Sequence, residues 1–267
     1  MLHRLTFGRG MKDPETAIAQ MRINCARDLP WFVEMPVHSG VGVAVAGGPS
    51  LRSRFGAIKK RQRDGECIVA LNGVRRLLVQ NAIRPDVVVF LDPSDKVCGF
   101  IDDEPDDPLY LVASSCHPSV LDKLVNRNVY LWHQDLGRQG EDKILDAYPD
   151  KPSTLIGGGS TVGLRMMNLF YLMGFRKWHH YGLDSSYAPD GADHAYTKHD
   201  GPETENLTVT VNGKQYRLSP WMARQAEEFK EFFTQFSREG CRIQVHGEGL
   251  IPDMYRLMVQ LSKGKAA

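Results

Sequence analysis

Short uninterrupted runs of apolar residues alternate with longer segments of mixed polarity along most of the chain. The runs at 41–46 and 86–91 are rich in valine, and glycine or proline lies close to each end of them. Such runs are typical of strands that are buried on both faces of a parallel sheet. On this pattern, strands are predicted at 41–46, 67–71, 86–91, 109–113, 129–132, 177–183 and 242–246.

The segments between these runs predict helices. The first is opened by Asp13-Pro14, because Asp caps helix N-termini and Pro suits the first turn. Helices are predicted at 13–33, 50–63, 74–81, 119–126, 161–173, 221–238 and 252–262. Strands that alternate with helices need crossover connections, which favour a parallel sheet. The predicted fold class is therefore α/β, a Rossmann-like three-layer fold with a mostly parallel sheet.

A polar segment at 185–218 interrupts the alternation of strands and helices. It is rich in Asp, His, Gly and Pro, and Asn212-Gly213 near its end separates two short runs. An Asn-Gly pair in that position is a hairpin signal. We therefore predict a polar insertion with a hairpin, which could act as a lid. The domain prediction is an N-terminal helical extension over 1–39 and one Rossmann-like domain over 40–267.

Composition and charge narrow the function classes. The chain has 267 residues, 42% of them hydrophobic and 24% charged, which is ordinary for a globular protein. A net charge of +1 provides no global basic field for nucleic acid or an anionic membrane. The five cysteines are odd in number and show no C-x-x-C spacing, so reduced thiols are predicted. With no signal peptide or membrane span in the pattern, a cytoplasmic location is expected.

Two glycine-rich turns stand where a strand gives way to a helix. Glycine lets the backbone approach a ligand closely, and a helix N-terminus presents free N–H groups and partial positive charge to an anion. Both turns are therefore predicted to bind phosphate. The alternatives are a plain strand-to-helix turn for the first and close helix packing for the second. The predicted phosphate-binding residues are Gly47, Gly48, Pro49 and Ser50 in the first turn, and Gly158, Gly159, Ser160 and Thr161 in the second.

Polar side chains follow several of the predicted strands. Asn72, Asp92 and Asp184 each come at the end of a strand, His117 follows another, and His194 lies in the insertion. The carboxyl ends of parallel strands share one edge of a sheet, where ligands bind. Asn72 could contact a base or ribose, and the carboxylates could hold Mg²⁺ or a ribose hydroxyl. The alternatives are a simple turn at Asn72 and helix capping near the carboxylates.

In this order, the motifs resemble the MptE-like family, which is named for an archaeal 6-hydroxymethyl-dihydropterin diphosphokinase. The same domain is similar to the motility accessory factor (Maf) glycosyltransferases and, more distantly, to bacterial sialyltransferases that use CMP-sialic acid. The resemblance is more specific for the fold than for the substrate. It rests on residues 47–51, Asn72, residues 85–92, residues 158–162, Gly174-Phe175, residues 182–184 and His194.

The resemblance implies a nucleotide-dependent transferase whose partners are a nucleotide and a small-molecule acceptor. In one version, diphosphate passes from ATP to a hydroxymethyl-pterin with Mg²⁺, and Asp92 and Asp184 are the metal candidates. In the other, a sugar passes from a CMP-linked or other nucleotide-activated donor. The catalytic candidates are Asp184, His194 and His117, with either histidine as the base.

The charge partner of the phosphates is a separate question. No Lys follows either glycine turn, so an arginine such as Arg52 or Arg165, or a metal, would balance the charge.

A third hypothesis is not enzymatic: the chain could be a phage assembly or binding protein that kept the fold and lost catalysis. It follows from residues 29–32, which resemble the same segment of phage-encoded members. Alanine at Asp92, Asp184 or His194 would then leave the biological function intact. The apolar face of the helix at 221–238 could also serve a homo-oligomer, although a place in the core is the favoured interpretation.

Overall fold

The computed structural model describes residues 14–101, 108–137, 140–152, 154–196 and 207–264, without the side chains of 263 and 264. The described residues form ten strands, of which eight make one sheet and two make a hairpin. The strands are β1 (Val41–Val45), β2 (Cys67–Leu71), β3 (Val87–Phe90), β4 (Leu109–Ala113), β5 (Val129–Gln134), β6 (Leu155–Ile156), β7 (Lys177–Tyr181), β8 (Leu207–Val211), β9 (Lys214–Leu218) and β10 (Arg242–His246).

The large sheet is parallel throughout and runs in the order β10-β7-β1-β2-β3-β4-β5-β6. From β1 the chain builds outward to β6, then returns to the other side of β1 with β7. The order therefore reverses between β1 and β7. In open α/β sheets, ligands bind outside the carboxyl ends of the strands at such a switch point. The predicted α/β three-layer fold with a mostly parallel sheet is confirmed.

Helices flank the sheet and connect its strands. They are α1 (Pro14–Cys25), α2 (Phe55–Arg63), α3 (Arg75–Gln80), α4 (Pro118–Lys123), α5 (Glu141–Leu145), α6 (Val162–Leu172), α7 (Pro220–Arg238) and α8 (Leu250–Gly264). Three 3-10 segments, at Pro49–Ser53, Asn72–Val74 and Asp95–Phe100, follow β1, β2 and β3 respectively. The predicted helix at 50–63 is therefore a 3-10 turn followed by α2.

The N-terminal segment packs on the sheet. The predicted helix at 13–33 is too long, because α1 ends at Cys25. Leu29 precedes Pro30, a position that disfavours helical backbone. Trp31 then bridges Leu131 of β5 in parallel register, and the N–H of Phe32 donates to the Leu131 carbonyl at 2.7 Å. The segment thus adds a short edge contact to the sheet.

The insertion carries the predicted hairpin, β8–β9, which turns at Asn212 (φ 51°) and Gly213 (φ 77°). Part of the insertion, 197–206, lies outside the described residues. The inner face of α7 is buried through Phe229, Phe232 and Phe236, which places this helix in the core. None of the helices in the described part of the chain is both long and apolar enough to span a membrane.

Candidate functional site

A cavity of about 280 Å³ opens at the switch point between β1 and β7. Ligand pockets are commonly about 300–1,000 Å³, so the volume suits one small ligand. Its lining comes from residues at the ends of β1, β2, β3 and β7, from residues 193–196 and from the N-terminal turns of α6 and α7. Its lining residues are Ala46, Gly47, Gly48, Leu71, Asn72, Leu91, Asp92, Ser160, Thr161, Val162, Gly163, Gly182, Leu183, Asp184, Ser185, Ser186, Asp193, His194, Tyr196, Trp221, Met222 and Gln225.

Most of the predicted site residues meet in this cavity. The ones that line it are Gly47, Gly48, Asn72, Asp92, Ser160, Thr161, Asp184 and His194. The others are not part of its wall, namely Pro49, Ser50, Gly158, Gly159 and His117. The residues that sequence reasoning missed come mainly from 185–196 and from α7.

The first glycine turn is bound by a carboxylate of the protein itself. Ser50 donates its N–H to Oδ2 of Asp184 at 2.7 Å and its hydroxyl to Oδ1 at 2.6 Å. Pro49 has no N–H, and the N–H of Gly48 donates to the Gly182 carbonyl. The donors that a phosphate would need from 48–50 are therefore used inside the protein.

Gly48 allows this contact because it has no side chain. A Cβ atom there would lie 2.5 Å from the Gly182 carbonyl oxygen and 2.7 Å from Cγ of Asp184. The Asp184 carboxyl is almost fully buried. Burial raises its pKa to about 6, while the two Ser50 hydrogen bonds oppose the rise. Asp184 therefore joins β7 to the turn after β1 across the switch point.

The second glycine turn repeats the arrangement. Ser160 donates its N–H at 2.8 Å and its hydroxyl at 2.7 Å to Oε2 of Glu228 on α7. Gly158 and Gly159 have φ angles of 79°, and a Cβ on Gly158 would lie 2.5 Å from the Phe232 ring. Gly158 thus packs against α7 and Gly159 against the first turn of α6, and neither glycine lines the cavity.

The N-terminus of α6 remains open to the cavity. Thr161 caps the helix by accepting the N–H of Leu164, and its hydroxyl oxygen also accepts from Nε2 of Gln225 at 2.8 Å. Val162 and Gly163 occupy the first turn and line the cavity. N–H groups of a first helical turn have no partner inside the helix and favour an anion. The first turn of α6 therefore offers N–H groups suited to an anion in the cavity.

The polar loop with His194 lies over the first turn. The N–H of Ala195 donates to the Gly47 carbonyl at 2.8 Å, and Arg52 donates to the carbonyls of His194 and Ala195. Nδ1 of His194 lies 3.1 Å from Oδ1 of the buried Asp193 without forming a hydrogen bond.

Asn72 and Asp92 follow neighbouring strands and share a wall. Oδ1 of Asn72 accepts the N–H of Leu91 at 3.1 Å, which locks the amide beside β3. Oδ1 of Asp92 accepts the N–H of Ser94 at 2.8 Å. Burial raises the pKa of the Asp92 carboxyl, an effect that this hydrogen bond opposes.

His117 has a structural role in the described residues. Its Nδ1 accepts the N–H of Ser119 at 3.3 Å and so caps α4. The neighbouring Cys116 is fully buried, and burial raises the pKa of its thiol to about 12. At neutral pH that thiol is protonated, so it is a poor nucleophile.

The described lining of the cavity is acidic. It contains Asp92, Asp184 and Asp193, and no Lys or Arg among the described residues. Arg165 is buried against the carbonyls of Gly159 and Ile156, and Arg52 holds the His194 loop. Neither arginine therefore lines the cavity as a charge partner for phosphate.

The residues of the cavity do not form a metal site by themselves. In the described ranges, no group of three or more His, Cys, Asp or Glu side chains could hold a metal ion. Mg²⁺ commonly takes one or two protein carboxylates and completes its shell with waters and substrate phosphates. Asp92 suits that arrangement, whereas both oxygens of Asp184 already accept hydrogen bonds from Ser50.

The fold and the cavity define an open parallel α/β protein with a small polar site at its switch point. Residues 36–190 match the family model described as 6-hydroxymethylpterin diphosphokinase MptE-like. The match spans more than half of the chain, which belongs to the MptE-like family. No curated protein matches the sequence.

Among solved structures, a Maf glycosyltransferase from Magnetospirillum magneticum AMB-1 shares the fold, with a TM-score of 0.63 and 14% sequence identity. The similarity covers 88% of this chain and 38% of that chain, so this chain corresponds to well under half of the larger protein. At this level of identity the likeness concerns the fold alone.

Proposed function

We propose that this chain is a nucleotide-dependent transferase that moves a diphosphate from Mg²⁺·ATP to the hydroxymethyl group of a pterin-like acceptor. The observation that carries the proposal is the acidic lining beside an open helix N-terminus. Three aspartates without a described Lys or Arg repel a bare polyphosphate, so the phosphates need a divalent cation. This favours a metal-dependent nucleotide over a metal-free one, and the family description supports the acceptor class.

The residues of the cavity have distinct roles in this proposal. The N–H groups of Val162 and Gly163 bind phosphate oxygens, and Asp92 would hold Mg²⁺. Mg²⁺ supplies charge neutralisation for the phosphates. Nε2 of His194 accepts the proton of the acceptor hydroxyl as its oxygen bonds to the β-phosphorus. The bond from that phosphorus to the α–β bridging oxygen breaks, and AMP leaves.

A second candidate is transfer of a sugar from a CMP-linked donor. The fold shared with the Maf glycosyltransferase supports it, as does the presence of His194, a candidate base, in the lining of the cavity. In that reaction the phosphate of CMP leaves with the α6 N-terminus beside it, and no metal is needed. The two candidates therefore differ in their dependence on Mg²⁺.

Thermal shift with ATP, CTP, CMP and UDP, each with and without Mg²⁺, tests the proposal. We expect ATP to raise the Tm only when Mg²⁺ is present, because the acidic lining repels the bare polyphosphate. A ligand at 100 times its Kd stabilises the folded protein by about 2.7 kcal/mol. Asp92→Asn should weaken this Mg²⁺-dependent shift. Asp64→Asn is the matched control, because Asp64 is exposed and pairs only with Lys60 among the described residues.

The other outcomes discriminate between the candidates. A shift by CMP without metal would replace the diphosphokinase proposal with the glycosyltransferase. No shift with any nucleotide would reject both.

A further inference from the structure

One aromatic side chain of the cavity has no role in the function proposed above. Trp221 is the second residue of α7, lines the cavity and is 49% exposed. The other three tryptophans of the chain, Trp31, Trp132 and Trp178, are at most 4% exposed. An indole presents a large flat surface, and a half-exposed one at the mouth of a polar cavity is available to a flat ligand.

The position of Trp221 is tied to the phosphate-binding helix end. Gln225 lies one helical turn further along α7, and its Nε2 donates to Oγ1 of Thr161, the cap of α6. The Gln225 Oε1 in turn accepts from the Ser185 hydroxyl, so both ends of this amide are engaged. One helical turn is about 5.4 Å. The first turn of α6 and Trp221 line the same cavity of about 280 Å³, so a ligand with a phosphate at the α6 N-terminus can present an attached ring to the indole.

We propose that Trp221 is the stacking surface for a planar heteroaromatic ring of the substrate. The inference rests on the proposed function and adds the residue that selects a ring-bearing ligand. Both substrates of the proposed reaction carry such a ring, the base of the nucleotide and the pterin of the acceptor. Stacking on an aromatic side chain tolerates different rings because each has a π face.

Intrinsic fluorescence tests this inference directly, because Trp221 is the exposed tryptophan. In ligand-free protein, acrylamide should quench a red-shifted component that Trp221→Phe removes. ATP with Mg²⁺, adenosine and 6-hydroxymethylpterin are added separately, and the one whose ring stacks should quench or shield that component. The inference would be overturned if acrylamide did not quench Trp221 in the ligand-free protein. It would also be overturned if ligand binding left the emission of Trp221 unchanged.

Binding to variants separates stacking from general damage to the site. Trp221→Leu should weaken binding of the ring-bearing ligand about 5- to 150-fold, while Trp221→Phe should keep most of it. Tripolyphosphate with Mg²⁺ has no ring, so its affinity should be the same for all three proteins. Val125→Ala, which removes part of an exposed side chain outside the cavity lining, is the surface control.

The failures of the two ideas are distinguishable. If wild-type protein binds Mg²⁺·ATP and 6-hydroxymethylpterin and Trp221→Leu binds both equally well, the stacking role is wrong and the proposed function stands. If wild-type protein binds none of the four probes, the proposed function fails and the stacking role fails with it. An equal loss of tripolyphosphate and ATP binding in Trp221→Leu would also overturn the stacking role.

Discussion

Two serines of this protein make the same pair of hydrogen bonds. Ser50 donates its N–H and its hydroxyl to Asp184, and Ser160 donates both to Glu228. Each serine follows a glycine turn, and each carboxylate comes from a distant part of the chain. The turns thus bind anions, as their glycines and hydroxyls suggest, but the described anions are the protein's own carboxylates. In the proposed function, the ligand phosphate therefore binds at the first turn of α6.

Gly48 provides a direct test of the Asp184 contact. In Gly48→Ala the new Cβ must displace the Gly182 carbonyl or the Asp184 carboxylate. We expect a loss of about 1–3 kcal/mol in the free energy of unfolding, as is typical of overpacking. Gly56→Ala is the matched control, because its Cβ has nothing within 4 Å and Ala favours the helix α2. Chemical denaturation measures both, and equal stability of the two variants would contradict this account.

His194 is the residue whose substitution should separate binding from chemistry. His194→Gln removes the proton acceptor but keeps a polar side chain of similar size. We expect kcat to fall roughly 10²- to 10⁴-fold with little change in nucleotide affinity. His38→Gln, a substitution outside the cavity lining, should keep full activity. A fall in affinity without a fall in kcat would assign His194 to binding instead.

The site could be predicted only in part at the residue scale. Asn72, Asp92 and Asp184 follow parallel strands, so topology alone brings them to one edge. Trp221 and Gln225 reach the cavity from α7, and no local pattern shows where a helix start will pack. The Ser50–Asp184 pair spans 134 residues, and sequence spacing does not reveal that the carboxylate fills the turn.

At the scale of elements, burial and length explain which helices and strands could be predicted from the sequence. The strands β2 and β4 have the predicted bounds because a buried parallel strand is a continuous apolar run. The edge strand β10 also has the predicted bounds, and its residues alternate between exposed and buried. The two-residue β6 and the five-residue α5 were not predicted, since such short elements show no periodicity. The division into an extension at 1–39 and a domain at 40–267 stays a prediction.

The cap of α6 links helix stability to the site. Thr161→Ala removes the oxygen that accepts from Leu164 and from Gln225. We expect a loss of about 1 kcal/mol in the free energy of unfolding and weaker nucleotide binding, because the first turn frays. Thr161→Ser keeps the hydroxyl and should restore both properties. If Thr161→Ala lowered stability but left affinity unchanged, the α6 N-terminus would not be the phosphate site.

At the scale of the whole molecule, buried histidines make stability depend on pH. Burial lowers the pKa of His133, His179 and His246 to about 4 and that of His180 to about 3. Their ordinary value is about 6.5. Between about pH 6.5 and 4, the unfolded chain therefore binds protons at these four positions that the folded chain does not. Their contribution to stability is complete above pH 6.5 and is lost as the pH falls through this window.

Asp184 acts in the opposite direction over part of the same window. Its pKa is raised to about 6, so between about pH 3.8 and 6 the folded chain holds a proton that the unfolded chain has released. That single group stabilises the fold as the pH falls, against four histidines that destabilise it. We therefore expect a net fall in Tm of several degrees on acidification from about pH 7 to about pH 4.5.

Variants assign this pH dependence to its source. His180 is one of four histidines whose pKa is lowered, so His180→Gln should remove part of the slope of Tm against pH even if it lowers Tm at every pH. Asp184→Asn removes the opposing group and should steepen the plot. A Tm that stays constant or rises with acidification would show that the buried imidazoles accept protons without loss of the fold.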